Sequence, residues 1–132
     1  MRPRLVAPLI RVDDSGDGHF GAPRGGRTHR GVDYLCRPGD PVFAPVGGTV
    51  TKLGFAYPDD LTWRYIEITD AQRNRHRFFY VFPLISVHTL VPVHLQIGTA
   101  QDISVRYSPR MRPHIHYEII DGNGEFLDVE QF

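Results

Sequence analysis

The chain has 132 residues, 41% of them hydrophobic, with 15 Lys+Arg balanced by 15 Asp+Glu. That length and apolar content suit one globular domain with a real core and exclude a disordered tail. Zero net charge excludes a nucleic-acid binder driven by overall charge, and a single cysteine, Cys36, excludes an intramolecular disulfide or a four-cysteine zinc site.

Residues 1–17 read as an N-terminal lead-in, with one edge strand over residues 4–12. Their apolar part is too short for a signal peptide, Pro3 and Pro8 interrupt it, and no small-residue cleavage site follows. No run is long enough to span a membrane. Any role outside the cytoplasm therefore calls for another export route, or the chain is a piece of a longer protein. Residues 18–132 read as a single domain. Gly (13) and Pro (11) punctuate it between short apolar runs, which is the mark of many short strands joined by turns.

Residues 24–33, Arg-Gly-Gly-Arg-Thr-His-Arg-Gly-Val-Asp, are loop-like. Arg24, Arg27 and Arg30 make a local basic patch there, but the aromatic platform of single-strand binders is missing, so no nucleic-acid partner is expected. Cys36 reads as a small core residue. Residues 41–46 and 49–53 read as a hairpin turning at Gly47-Gly48. Residues 63–69, Trp-Arg-Tyr-Ile-Glu-Ile-Thr, alternate as a strand, and residues 70–74 turn it back into a strand over 77–81. Residues 114–120, His-Ile-His-Tyr-Glu-Ile-Ile, form another strand, followed by a turn at Asp121-Gly122-Asn123-Gly124 and a short run at 125–128. No stretch of twelve or more residues carries a helical period. The fold class predicted is mainly β, an antiparallel sheet with loops forming a groove.

A strand sends residues i and i+2 to one face, so His114 and His116 point the same way. His29 and Asp33 sit four apart in the earlier loop, with Gly31 between them to let the backbone fold both side chains to one point. Imidazoles plus a carboxylate, delivered from two distant segments, are what a mononuclear zinc site needs, and a catalytic site keeps one position open. The N₂O donor set suits zinc, although cobalt, nickel and copper accept similar donors. His19, His76, His88 and His94 read as ordinary surface or core histidines.

These motifs resemble the lysostaphin-type family of zinc metalloendopeptidases. The resemblance rests on Arg27-Thr28-His29-Arg30-Gly31-Val32-Asp33, Pro38-Gly39, Ala44-Pro45, Gly48-Thr49-Val50 and His114-Ile115-His116-Tyr117-Glu118, with Phe20-Gly21-Ala22-Pro23-Arg24 and Phe126-Leu127-Asp128 also fitting. It covers residues from about 18 to the end. It implies a lysostaphin-type fold, zinc held by His29, Asp33 and His116, His114 as the catalytic group beside the metal, and cleavage of peptide cross-links in bacterial peptidoglycan by a zinc-activated water. It also implies action at the cell wall and a groove for an extended peptide. Tyr65, Phe79, Tyr80 and Tyr107 are the aromatic candidates to line that groove, with Tyr80 and Tyr107 carried forward as groove residues.

One element departs from the family pattern. The family carries a further histidine in a Tyr-x-His-Leu segment; here the stretch is Phe79-Tyr80-Val81-Phe82-Pro83-Leu84, with Phe82-Pro83 where the histidine belongs. In this the chain is similar to the branch of the leukocyte cell-derived chemotaxin, whose several cysteines it lacks. The departure supports an alternative expectation, a catalytically impaired zinc-containing module that binds cell wall or a protein partner. A third expectation is that His76, His88 or His94 reaches the site from a loop and supplies the missing group.

Overall fold

The computed structural model describes residues 5–132. Two short hairpins come first: β1 (Val12–Asp13) with β2 (Gly16–Asp17), then β3 (Pro23–Arg24) with β4 (Arg27–Thr28). After β5 (Val32–Leu35) and β6 (Pro41–Phe43) come the two longest strands, β7 (Gly48–Tyr57) and β8 (Asp60–Thr69). They are followed by β9 (Arg75–Phe79), β10 (Val81–Pro83), β11 (Leu90–Val91), β12 (Gln96–Ala100), β13 (His114–Ile120) and β14 (Phe126–Leu127). Among the described residues there is no α-helix, only single 3-10 turns at Ile103–Val105 and Val129–Gln131.

The main sheet runs β11-β7-β8-β9-β13-β14, with β5 pairing the first half of β13. A smaller sheet, β10-β12-β6, packs beside it, and every pairing is antiparallel. The mainly antiparallel expectation holds. The period of two in β8, β9 and β13 explains the layering. Ile66, Ile68, Phe78, Ile115 and Ile119 are fully buried on one face and join Val32, Val50 and Ile97 in a single core. The intervening residues Glu67, Arg77, His114, His116 and Glu118 alternate onto the opposite face, where the site is built.

The sequence expectations fail at three places, each for a physical reason. The hairpin predicted across Gly47-Gly48 does not form: β6 pairs β12 in the small sheet, whereas β7 pairs β8 and β11. Gly48 is a close-approach residue instead of a turn residue, since a Cβ there would stand 2.3 Å from the Thr69 carbonyl oxygen. The true hairpin turn lies between Tyr57 and Asp60. The edge strand predicted over 4–12 reduces to an isolated bridge between Ile10 and Tyr34 followed by β1; Pro8 has no N–H to give a ladder, and Arg4 lies outside the described residues. The strand predicted over 77–81 breaks at Tyr80, which has φ of 69° and passes the chain from the large sheet to the small one.

Candidate metal centre

Register assembles the site. In the β13–β5 ladder His116 stands directly opposite Asp33, and in the β13–β9 ladder it stands opposite Phe79. Directly opposed residues of an antiparallel pair project to the same face at close range. His29 comes from the loop between β4 and β5. Its amide donates to the Ala22 carbonyl at 2.8 Å, and its carbonyl accepts from the Gly21 amide at 2.9 Å, so the loop is pinned on both sides. Gly31 is needed for closure, because a Cβ there would lie 2.3 Å from the Tyr117 carbonyl oxygen and 2.9 Å from His116 Cε1.

Three donor atoms converge. His29 Nε2 lies 3.1 Å from His116 Nδ1 and 3.2 Å from Asp33 Oδ1, and His116 Nδ1 lies 2.9 Å from Asp33 Oδ1. Tetrahedral zinc with bonds near 2.05 Å sets its ligand atoms about 3.3 Å apart, so the triangle fits one ion with little adjustment. The outer ring atoms are committed elsewhere. His29 Nδ1–H donates to the His19 carbonyl at 3.0 Å, and His116 Nε2–H donates to Glu118 Oε1 at 2.8 Å. Both inner nitrogens therefore present lone pairs toward a carboxylate oxygen, an arrangement that a cation resolves. Outer-shell acceptors of this kind fix the tautomer and orientation of metal-ligating histidines.

The electrostatics agree. Burial alone raises the Asp33 carboxyl, but hydrogen bonding with His116 and His29 outweighs it and holds the group well below its usual range. Burial lowers His116, while Asp33 and Glu118 together lift it to about 9, so without a metal a proton takes the cation's place. Asp33 Oδ2 is held separately, by Arg11 Nη2 at 3.0 Å and Arg24 Nη2 at 3.6 Å, which leaves Oδ1 free to face the histidines.

His114 is beside the three donors and outside the triangle. Its Nδ1–H donates to the Arg112 carbonyl at 2.9 Å. That bond fixes the tautomer and leaves the Nε2 lone pair facing the cleft, 3.8 Å from Asp33 Oδ2. Burial lowers its pKa, against the opposing pull of Asp33. A neutral imidazole with a free lone pair is the protonation state a general base requires.

The centre lies in a cleft of about 430 Å³ whose walls include Tyr57, Phe79, Tyr80, Tyr107, Arg27 and Arg30. Tyr80 and Tyr107, the two aromatic residues expected at a groove, are among the residues lining this cleft. Phe79 also lines the cleft, whereas Tyr65 packs against it from outside, with ring centroids 4.7 Å apart. Phe82 is half exposed on β10 and does not line the cleft. Neither His76, His88 nor His94 reaches it; His76 is buried between Asp70 and Tyr117. Four contributors were missed. Glu118 could have been found, being two residues past His116 on the same strand face. Arg11, the His19 carbonyl and Tyr57 carry no local sequence signal, because only tertiary folding brings them to the centre.

No protein-family model matches the sequence. Solved structures do match. Lysostaphin from Staphylococcus simulans aligns with TM-score 0.70 at 22% identity, over 87% of this chain and 47% of that one; the chain spans about half the length of that protein. A mutant catalytic domain of the prophage-encoded M23 protein EnpA from Enterococcus faecalis aligns with TM-score 0.70 at 21% identity, over 96% of this chain and 93% of that one. A zinc-containing peptidase from Vibrio cholerae aligns with TM-score 0.64 at 23% identity, over 96% and 37% of the two chains. The chain has the fold of the lysostaphin-type M23 peptidases.

Proposed function

We propose that this chain is a zinc-dependent endopeptidase that cleaves peptide cross-links of bacterial peptidoglycan. The observation that carries the reading is the convergence of three donor atoms, all within 3.2 Å of one another, beside a third imidazole, His114, whose Nε2 lone pair is free. His29, Asp33 and His116 would hold the metal. Bound there, zinc supplies Lewis acidity, polarising a carbonyl and lowering the pKa of a water to about 7.

The chain's own residues do the rest. Arg11 and Arg24 keep the Asp33 carboxylate turned toward the centre. The His19 carbonyl and Glu118 hold the two ligand imidazoles in register. His114, locked by Arg112, accepts the proton of the attacking water at Nε2 and returns it to the leaving amine nitrogen. The cleft leaves room for an extended peptide, whose backbone would supply most of the contacts. The likeness to lysostaphin, described as an antimicrobial peptidase, supports a wall substrate, and such a substrate places the site of action at the cell wall. Among the described residues no helix is long and apolar enough to cross a membrane.

A second reading is a zinc-containing module that binds wall or a protein partner without hydrolysis. It is favoured by one observation: among the described residues, no histidine other than His29, His114 and His116 lines the cleft. The test is hydrolysis of synthetic cross-link peptides by zinc-loaded wild type and by His114→Ala. Cleavage by the first and not the second supports the endopeptidase; retained zinc with no cleavage by either selects the binding module.

A further inference from the structure

The peptidase chemistry proposed above requires a donor for the carbonyl oxygen as it gains negative charge. His114 is unavailable for that role while it acts as base, since its one N–H is spent on Arg112. A row of phenols lies against it.

Tyr80 sits at the junction of β9 and β10 in the left-handed region, φ 69°, where a bulky residue is a genuine outlier. Its backbone is pinned from both sides: its amide donates to the Arg64 carbonyl at 2.8 Å, and its carbonyl accepts from the Gln101 amide at 2.9 Å. Held strain of this kind clusters at functional sites. The kink sets the ring edge-to-face against His114, with centroids 5.6 Å apart and planes at 88°.

The Tyr80 hydroxyl lies 3.1 Å from the Tyr57 hydroxyl, and the Tyr57 hydroxyl is hydrogen-bonded to that of Tyr107. Arg106 closes the row. Its guanidinium lies 3.8 Å from the Tyr57 ring centroid and 5.8 Å from that of Tyr107, and is held by Asp59 at 3.6 Å and Asp60 at 3.4 Å. Each of these hydroxyls can donate or accept. With Tyr57 donating to Tyr80, the Tyr80 O–H is left for the cleft that its side chain lines. A phenol that accepts one hydrogen bond is polarised toward donating the next.

We propose that Tyr80 is a catalytic residue, donating this hydrogen bond to the scissile carbonyl oxygen, with Tyr57, Tyr107 and Arg106 as positioning residues behind it. As the water oxygen bonds to the carbonyl carbon, the C=O π pair moves to oxygen and is met by the Tyr80 O–H, while His114 takes the water proton. The oxygen pair then returns, the C–N bond breaks, and the His114 proton goes to the amine. Tyr80 keeps its own proton throughout. The proposal rests on the hydrolytic reading, but its test separates the two.

Tyr80→Phe keeps the ring and deletes the hydroxyl. In the zinc-loaded protein kcat should fall about 10²-fold, with KM, zinc content and melting temperature unchanged. Tyr107→Phe should lower kcat by a smaller factor. A second readout is the affinity of a phosphinic peptide, whose tetrahedral oxyanion mimics the transition state, against that of the matching amide peptide. Tyr80→Phe should weaken the phosphinate about tenfold or more and leave the amide unchanged. A Tyr80→Phe protein with wild-type kcat and wild-type phosphinate affinity overturns the proposal. If wild type hydrolyses nothing, the hydrolytic reading fails, and the phosphinate comparison still decides whether Tyr80 presents an oxyanion donor.

Discussion

Arg11 Nη2 donates to Asp33 Oδ2 at 3.0 Å, and both side chains are almost wholly buried. The pair joins a segment that reads as a lead-in to the strand that carries a proposed metal ligand. Arg11 Nη1 also holds Asp13 Oδ1 at 2.7 Å, so one guanidinium bridges two carboxylates.

Removing that guanidinium leaves Asp33 buried with Arg24, at 3.6 Å, as the remaining guanidinium beside its outer oxygen. Truncating one partner of a buried pair costs about 3–5 kcal/mol. Arg11→Ala is expected to lower stability by that order in denaturant unfolding and to weaken zinc binding, because Oδ1 is no longer held toward the histidines. Wild-type zinc affinity in a folded Arg11→Ala protein contradicts the orienting role.

Glu118 accepts from His116 Nε2–H at 2.8 Å. Loss of such an outer partner typically costs about 10–100-fold in metal affinity. Glu118→Ala should show that loss in competition with a chromophoric chelator. Its effect should exceed that of Glu67→Ala, since Glu67 lies on the same face but pairs with Arg77 at 2.7 Å and not with a ligand.

His114 and His116 are separated by one residue, and the proposal assigns them different work. His114→Ala should bind zinc at wild-type stoichiometry and lose about 10²–10⁴ in kcat, the usual worth of a general base. His116→Ala should lose the zinc itself. Metal analysis beside kinetics distinguishes the two, and equal zinc loss in both variants would refute the division.

His76 supplies the pH dependence of stability. It is fully buried, its Nε2–H donates to Asp70 Oδ2 at 2.9 Å, and its Nδ1 accepts from the Tyr117 hydroxyl at 2.7 Å, with the Phe132 ring edge-on beside it. Burial pushes its pKa below 6.5, against the pull of Asp70. As pH falls below 6.5 the unfolded chain takes up a proton that the folded chain resists, so stability declines until the lowered folded value is reached. Asp70 acts at lower pH. Burial raises it, but hydrogen bonds from His76 and Asn74 outweigh burial and hold it below 3.8; its contribution is present above that value and lost as pH falls past it. His76→Gln should flatten the first decline in urea midpoints measured between pH 7 and 5. An unchanged slope contradicts the assignment.

Sequence reading located the parts of the site that obey local periodicity. The alternation of residues 114–120 placed His114 and His116 on one face because a strand's geometry allows nothing else. The Gly31 spacing found the loop that returns His29 and Asp33. The reading failed where a decision belongs to tertiary pairing. Gly47-Gly48 looks like a turn, yet β6 and β7 part into different sheets, and the reason is the Thr69 backbone across from Gly48. Arg11 is 22 residues from Asp33 and sits in a segment with no motif, so nothing local announces it. Tyr80 was expected at the groove, but its left-handed kink was not, since non-glycine residues at positive φ leave no compositional trace.

The most direct measurement is the appearance of new amino termini and soluble fragments when purified peptidoglycan is incubated with the protein, first stripped of metal by chelator and then reloaded with zinc. Zinc-dependent release of cross-link fragments, lost on rechelation, is the expected result. Stoichiometric zinc binding with no fragment released from several wall types would contradict the account and leave a metal-bearing cleft that binds without cutting.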